Sequence, residues 1–130
     1  DELERFGVTV EYVPTKEIGT VAARGDLDGA RFVMLETPSN PLLDVCDVAA
    51  VAGATRAAGA VLAVDNTTAT PLGQRPLDLG ADLTVGSDTK ALTGHSDLLL
   101  GHVGTRDEEL YARLKSFRDH TGATPGPFEA

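Results

Sequence analysis

Apolar residues in this chain come in short runs separated by polar loops, and the runs are of two kinds. Phe32-Val33-Met34-Leu35 and Ala60 to Val64 are uninterrupted and too short for helices, which predicts strands buried on both faces. Leu83-Thr84-Val85 predicts a third strand, and Leu98-Leu99-Leu100 with Val103 a fourth. Val8, Val10 and Tyr12 alternate with polar neighbours and predict a short strand ending at Pro14. Helical spacing occurs twice. Val48, Val51, Ala52 and Thr55 share one side of a helix that Asp47 can cap and Gly59 can end, and Leu110, Leu114 and Phe117 follow Asp107 in the same way. Thr15 to Gly29 carries charges and glycines with weak periodicity and reads as a poor helix or a loop. Thr37-Pro38-Ser39-Asn40-Pro41 is a turn, because its prolines remove donors and bias the preceding residues away from helix. Strands alternating with helices predict an α/β domain with a three-layer, mostly parallel sheet and no internal repeat.

Composition narrows the functional classes. A chain of 130 residues with 42% hydrophobic content can form a core, which excludes collagen-like and wholly disordered readings. A formal net charge of −9 repels nucleic-acid phosphates and anionic lipid, so neither is an expected partner. Charged, Gly or Pro positions interrupt every apolar run well short of a membrane span. A single cysteine, Cys46, makes no internal disulfide and favours a reducing compartment. The chain opens on Asp1-Glu2-Leu3 without the basic and apolar regions of a signal peptide, and its one methionine is Met34. The expectation is a piece of a longer protein.

Parallel sheets place their ligand sites at the carboxyl ends of the strands. Three polar clusters fall there: Glu36 to Asn40, Asp65-Asn66-Thr67-Thr68, and Ser87-Asp88-Thr89-Lys90. Asp65 closes a buried run, where a carboxylate is costly unless a cation or donor meets it. It either caps a nearby turn, pairs with Arg75, or serves a ligand. Lys90 alone would read as a solvated charge, but Ser87 and Thr89 supply hydroxyls beside it, and Gly86 and Gly94 let backbone approach a ligand closely. A carboxylate, a lysine and hydroxyl donors are the groups that pyridoxal phosphate requires, for its pyridine nitrogen, its aldehyde and its phosphate.

Five motifs then carry a resemblance. Glu36-Thr37-Pro38-Ser39-Asn40-Pro41, Val64-Asp65-Asn66-Thr67, Gln74-Arg75-Pro76-Leu77 with Leu79-Gly80-Ala81-Asp82, Ser87-Asp88-Thr89-Lys90, and Gly94-His95-Ser96-Asp97 occur in order from Phe32 onward. In this the chain resembles the Cys/Met-metabolism family of pyridoxal-phosphate enzymes, which includes cystathionine γ-synthase, cystathionine β- and γ-lyases and methionine γ-lyase. The resemblance implies the central part of a fold type I (aspartate aminotransferase-like) large domain. An N-terminal segment and a C-terminal small domain are then expected outside residues 1–130. It implies pyridoxal 5′-phosphate as cofactor, an amino-acid substrate, no metal, and elimination or replacement at the γ-carbon of a sulfur-containing amino acid. Cystathionine γ-lyase comes first and γ-synthase or methionine γ-lyase are the alternatives. Lys90 matches the Schiff-base lysine and freed base, and Asp65 the partner of the pyridine nitrogen. Ser87 and Thr89 match phosphate ligands, Asn40 the neighbour of the phenolic oxygen, and Thr67 a ring neighbour. A homo-oligomer, a homotetramer in the family's pattern, and a cytoplasmic location follow from the same resemblance. Two positions depart from it. Asp88 stands where relatives often carry a small apolar residue, and Thr68 where many carry an aromatic one.

Other chemistries fit less well. Gly94-His95-Ser96-Asp97-Leu98 lacks the closing glycine of a hydrolase nucleophile elbow and precedes a strand where that motif needs a helix. His95, Asp97 and His102 have no metal-ligand spacing and lack a fourth partner. No G-x-G-x-x-G follows a strand. Cys46 reads as a small hydrophobe near a helix start, and the helix after Asp107 as a solvated face with an apolar seam. A truncated, catalytically inactive interaction module with the same fold is the non-enzymatic alternative.

Overall fold

The computed structural model describes residues 2–129. Its centre is a four-stranded sheet in the order β1 (Phe32–Glu36), β2 (Val61–Asp65), β3 (Leu83–Ser87) and β4 (Gly101–Thr105). The first three strands run parallel, and β4 returns antiparallel against β3. The register sets Glu36 beside Asp65 and Asp65 beside Val85, so the first two polar clusters start level at one rim and the third starts two residues beyond Val85.

One sheet face is closed by two helices. α1 (Thr15–Arg24) and α2 (Val48–Ala57) pack on each other, and Ile18, Ala22, Val48, Val51 and Ala52 join Leu35, Leu62 and Val64 in one buried cluster. The α2 reading holds in detail. Asp47 Oδ1 accepts from Ala50 N at 3.0 Å, and Val48, Val51, Ala52 and Thr55 are the buried positions. Gly59 follows at φ +71, a left-handed conformation that glycine adopts freely. The β2–β3 connection, which holds the single-turn α3 (Thr70–Gly73), is also tied to this layer. Asp82 Oδ2 accepts from Leu62 N at 2.8 Å, and Gly80 approaches the Ala52 side chain closely enough that an added Cβ would lie 3.4 Å away.

The other face is only partly covered. α4 (Glu108–Thr121) starts on its expected cap, with Leu110 N donating to Asp107 Oδ1 at 2.8 Å. It faces Phe32, Val61 and Leu83 across a cleft and buries none of its own residues. The third layer is thus present and loosely seated. Phe32 and Met34 remain 54% exposed, so β1 is a strand as expected but is not buried on both sides.

Three further expectations differ from the structure. Residues 8–14 form no strand, since their alternation finds no partner edge to complete a ladder. Thr15 to Gly29 is a real helix for most of its length, because Ile18 and Ala22 lie one turn apart against α2 and Thr15 Oγ1 donates to Glu36 O at 3.0 Å. Its sequence signal is masked by Gly19 in mid-helix. The fourth strand begins at Gly101 and not at Leu98, since Leu100 bonds to the Thr89 turn, and Leu99 is 82% exposed. Among the described residues no helix is long and apolar enough to cross a membrane.

Urea unfolding should separate the two supports of the α2 layer. Asp47→Ala is expected to cost about 1 kcal/mol through loss of the cap. Leu62→Ala, at a site with no solvent exposure, is expected to cost about 2–5 kcal/mol through the cavity it leaves.

Candidate functional site

The carboxyl rim of the parallel strands is held together by one buried amide. Asn66, 5% exposed, follows Asp65 directly; its backbone N–H donates to Val85 O at 2.8 Å, and its Nδ2 donates to Gln74 O at 2.9 Å. Gln74 Nε2 donates both to Asn66 Oδ1 at 3.1 Å and to Thr37 O at 3.3 Å. Thr37 is itself buried, and its hydroxyl accepts from Cys46 N at 3.3 Å. Loops after β1 and β2 are therefore joined through Gln74, and the β2 loop is joined to β3 through Asn66. Sequence reasoning gave no role to Asn66 or Gln74. The available signal was an amide directly after the strand-ending Asp65, with a second amide opening the Gln74-Arg75-Pro76-Leu77 motif.

Asp65 resolves one of its open readings. Its Oδ1 accepts from Thr67 N at 2.9 Å in a tight turn, which leaves Oδ2 without a partner among the described residues. Arg75 pairs with Asp78 instead, at 3.1 Å. Arg106 bonds the same Asp78 carboxyl, and chiefly that hydrogen bond, with both positive charges, holds it below the usual carboxylate range. Thr67 reaches the third cluster, its Oγ1 accepting from Ser87 N at 2.9 Å. Asp65 and Ser87 lie on the same sheet face, because Asp65 stands opposite Val85 and Ser87 is two residues further on. Asp65, Thr67 and Ser87 are thus brought together. No hydrogen bond is formed by the Ser87 hydroxyl among the described residues.

Lys90 sits on the turn that leaves β3. Its N–H donates to Ser87 O at 3.1 Å, its side chain is exposed, and no carboxylate pairs with its ammonium among the described residues. Thr89 is committed elsewhere: its hydroxyl donates to Leu100 O at 3.1 Å and accepts from Leu100 N at 3.0 Å, clamping the turn to the approach of β4. Asn40 is exposed at the tip of the turn after β1, its N–H donating to Glu36 Oε2 at 3.2 Å, and no hydrogen bond links its side chain to Asp65 or Ser87. Thr68 is exposed beside this group.

The competing sites do not assemble. His95 Nδ1 lies 2.6 Å from Thr93 O, whereas His102 Nδ1 lies 2.6 Å from Asp88 Oδ1. Among the described residues no three His, Cys, Asp or Glu side chains group as metal ligands would. Ser96 is exposed in a loop, and a strand follows it, contrary to the elbow arrangement. Cys46 is partly buried against the core cluster, and that burial raises its thiol pKa, which opposes a reactive thiolate.

Among the described residues, what the rim offers is an unpaired primary amine, a carboxylate with a free oxygen and a free hydroxyl, at strand ends and on the loops that follow. That set suits a carbonyl cofactor bearing a basic ring nitrogen and a phosphate. A parallel α/β sheet with such a rim defines the broad class. Over residues 1–130 the chain matches the Cys/Met metabolism PLP-dependent enzyme family (PLP, pyridoxal 5′-phosphate), and it belongs to that family. It is 50% identical over 102 residues to a cystathionine gamma-lyase of Dictyostelium discoideum, covering 78% of this chain and 26% of that protein. It is 44% identical over 131 aligned positions to an L-methionine gamma-lyase of Treponema denticola, covering 98% of this chain and 32% of the relative. The fold superposes on a methionine gamma lyase from Micromonospora echinospora in its apo form with a TM-score of 0.90 and 40% identity, covering 97% of this chain and 35% of that one. This chain spans at most about a third of the length of these relatives.

Asn66→Ala removes both side-chain bonds to Gln74 and leaves their partners unsatisfied. It is expected to lower stability by about 1–3 kcal/mol, read as an earlier urea midpoint. An unchanged midpoint would remove the rim network from the account.

Proposed function

We propose that these residues form the cofactor-anchoring part of an enzyme that eliminates or replaces a group at the γ-carbon of a sulfur-containing amino acid, in the manner of a cystathionine γ-lyase. Cystathionine γ-synthase and methionine γ-lyase activities belong to the same reading. The observation that carries it is the unpaired Lys90 amine on the turn that begins at Ser87, with the free oxygen of Asp65 on the same rim. The bare amine is available for covalent attachment because no carboxylate among the described residues holds it.

The residues divide the work by chemistry. Asp65, fixed through Oδ1 by Thr67 N, has Oδ2 left to hold a proton on a ring nitrogen. Ser87 has a hydroxyl proton to give to a phosphate oxygen, and Thr67 fixes the Ser87 backbone from below. Thr89 would join as a phosphate ligand by turning its hydroxyl from Leu100 O, and otherwise acts as the clamp of the turn. Asn40 would border the ring oxygen from the loop after β1. Pyridoxal 5′-phosphate, when bound, supplies a conjugated ring that delocalises the electron pair left at Cα. Lys90 would be the base, accepting the Cα proton at Nζ, and later loss of a Cβ proton would open the γ-carbon to departure or exchange of its sulfur or oxygen substituent. A soluble, cytoplasmic homo-oligomer acting on an amino-acid substrate, with no nucleic acid or membrane partner, completes the reading. It rests on the family resemblance and on the net charge of −9.

In the whole protein loaded with PLP, Lys90→Ala should abolish the visible absorption band of the lysine-bound cofactor; survival of that band would refute the assignment. Asp65→Asn should keep the band yet lower kcat by at least about a hundredfold, the scale of a lost proton-holding group. Normal turnover by Asp65→Asn would sink the role given to that carboxylate.

A further inference from the structure

We propose that Asp88 and His102 form a charge-paired positioning unit for the Lys90 turn, in which His102 offsets a carboxylate set beside the phosphate-binding hydroxyls. The proposal rests on the reading that Ser87 and Lys90 anchor a phosphate-bearing cofactor.

Asp88 lies between Ser87 and Thr89, two residues before Lys90, and its side chain is only 13% exposed. An unpaired carboxylate there would repel the phosphate that its neighbours bind. It is met from the adjacent strand: His102 Nδ1 lies 2.6 Å from Asp88 Oδ1. An ionised carboxylate can only accept, so Nδ1 carries the proton and Nε2 is left as the second ring position.

A third residue makes room for this pair. Gly86 stands directly across from His102 in the β3–β4 register, and a Cβ on Gly86 would fall 2.6 Å from His102 Cε1. The ring therefore lies over the glycine, and any side chain at 86 would push it off the carboxylate. Gly86, Asp88 and His102 are interdependent, which gives the departure at position 88 a local compensation.

Among the described residues, the surroundings leave His102 as the side chain that meets Asp88. Ser87, Thr67, Arg75, Asp78 and Arg106 line the same cavity of about 290 Å³. Both arginines are committed to Asp78, on the segment before β3 and at the exit of β4. The Lys90 ammonium makes no ion pair with Asp88. The turn is thus pinned to β4 at two places, by Thr89 on Leu100 and by Asp88 on His102, and only the second pin joins two ionisable side chains.

A charge-offsetting role and a purely structural one predict opposite signs of coupling, and a double-mutant cycle on the whole protein reads the difference. PLP dissociation constants would be measured by equilibrium dialysis for wild type, His102→Ala, Asp88→Asn and the double variant, with the visible band recorded for each. His102→Ala is expected to weaken retention about tenfold, the effect of one uncompensated neighbouring charge. Adding Asp88→Asn should restore retention to within about threefold of wild type. A double variant as weak as His102→Ala, or weaker, overturns the proposal, as does His102→Ala with unchanged retention. Should His102→Ala fail to fold, imidazole nitrogen NMR on the wild-type protein decides: a ring protonated on both nitrogens supports the pair, and a neutral ring, whichever nitrogen holds its proton, overturns it. A wild-type protein without the visible band overturns the cofactor reading and this proposal with it, whereas a normal band with the wrong coupling overturns the proposal alone.

Discussion

The rim of this sheet depends on the buried side-chain amide of Asn66. Parallel strands end in loops that share no ladder, so nothing in the sheet itself fixes one loop against the next. The amide supplies that missing bond. Through Gln74 it reaches Thr37 after β1, and through its own backbone it reaches Val85 on β3. A buried amide left half-satisfied would cost more than it contributes, so the Asn66–Gln74 exchange is an all-or-nothing contact. Asp65 and Thr67 flank it in sequence, and their positions follow from it. The carboxylate closes onto Thr67 N, and the Thr67 hydroxyl holds Ser87 N.

The sheet below the rim is asymmetric in a way that bears on the site. One face is sealed by α1 and α2 over Leu35, Leu62 and Val64, whereas on the other Phe32 and Met34 stay more than half exposed beneath a loosely seated α4. Asp65 and Ser87 project on this second, open face. Rigid anchorage on one side and access on the other is the arrangement a ligand site on a parallel sheet needs. It also accounts for the β1 run being apolar throughout while burying only Leu35, since hydrophobicity at Phe32 and Met34 marks a face that these residues alone do not cover.

What could be read in advance tracks how local each signal is. The α2 face was legible to the residue because its cap, its periodicity and its terminating glycine all lie within one short stretch. Asp65, Ser87 and Lys90 were legible as polar residues at or just past strand ends for the same reason. α1 was obscured because its stability comes from Ile18 and Ala22 meeting α2, a contact absent from its own sequence. The alternation at Val8, Val10 and Tyr12 misled in the opposite direction, since a period of two specifies a strand only where another strand is present to pair with it. Asn66 and Gln74 were silent because a buried amide and a solvated one look alike until the loops are brought together.

Thr89 shows how the same residue can belong to two layers of the design. As a hydroxyl between Ser87 and Lys90 it reads as a phosphate ligand, yet in the structure it accepts from and donates to the backbone of Leu100. With Thr89 N also donating to Leu100 O at 3.1 Å, Leu100 is tied to the turn, and β4 begins at the next residue. The strand start, in turn, decides which β4 residue faces Gly86, and that residue is His102. Shifting β4 by one residue would reverse the faces of its side chains and take the imidazole away from Asp88. The clamp at Thr89 and the hydrogen bond at Asp88 are therefore consecutive consequences of one register, and the Lys90 turn is held by both.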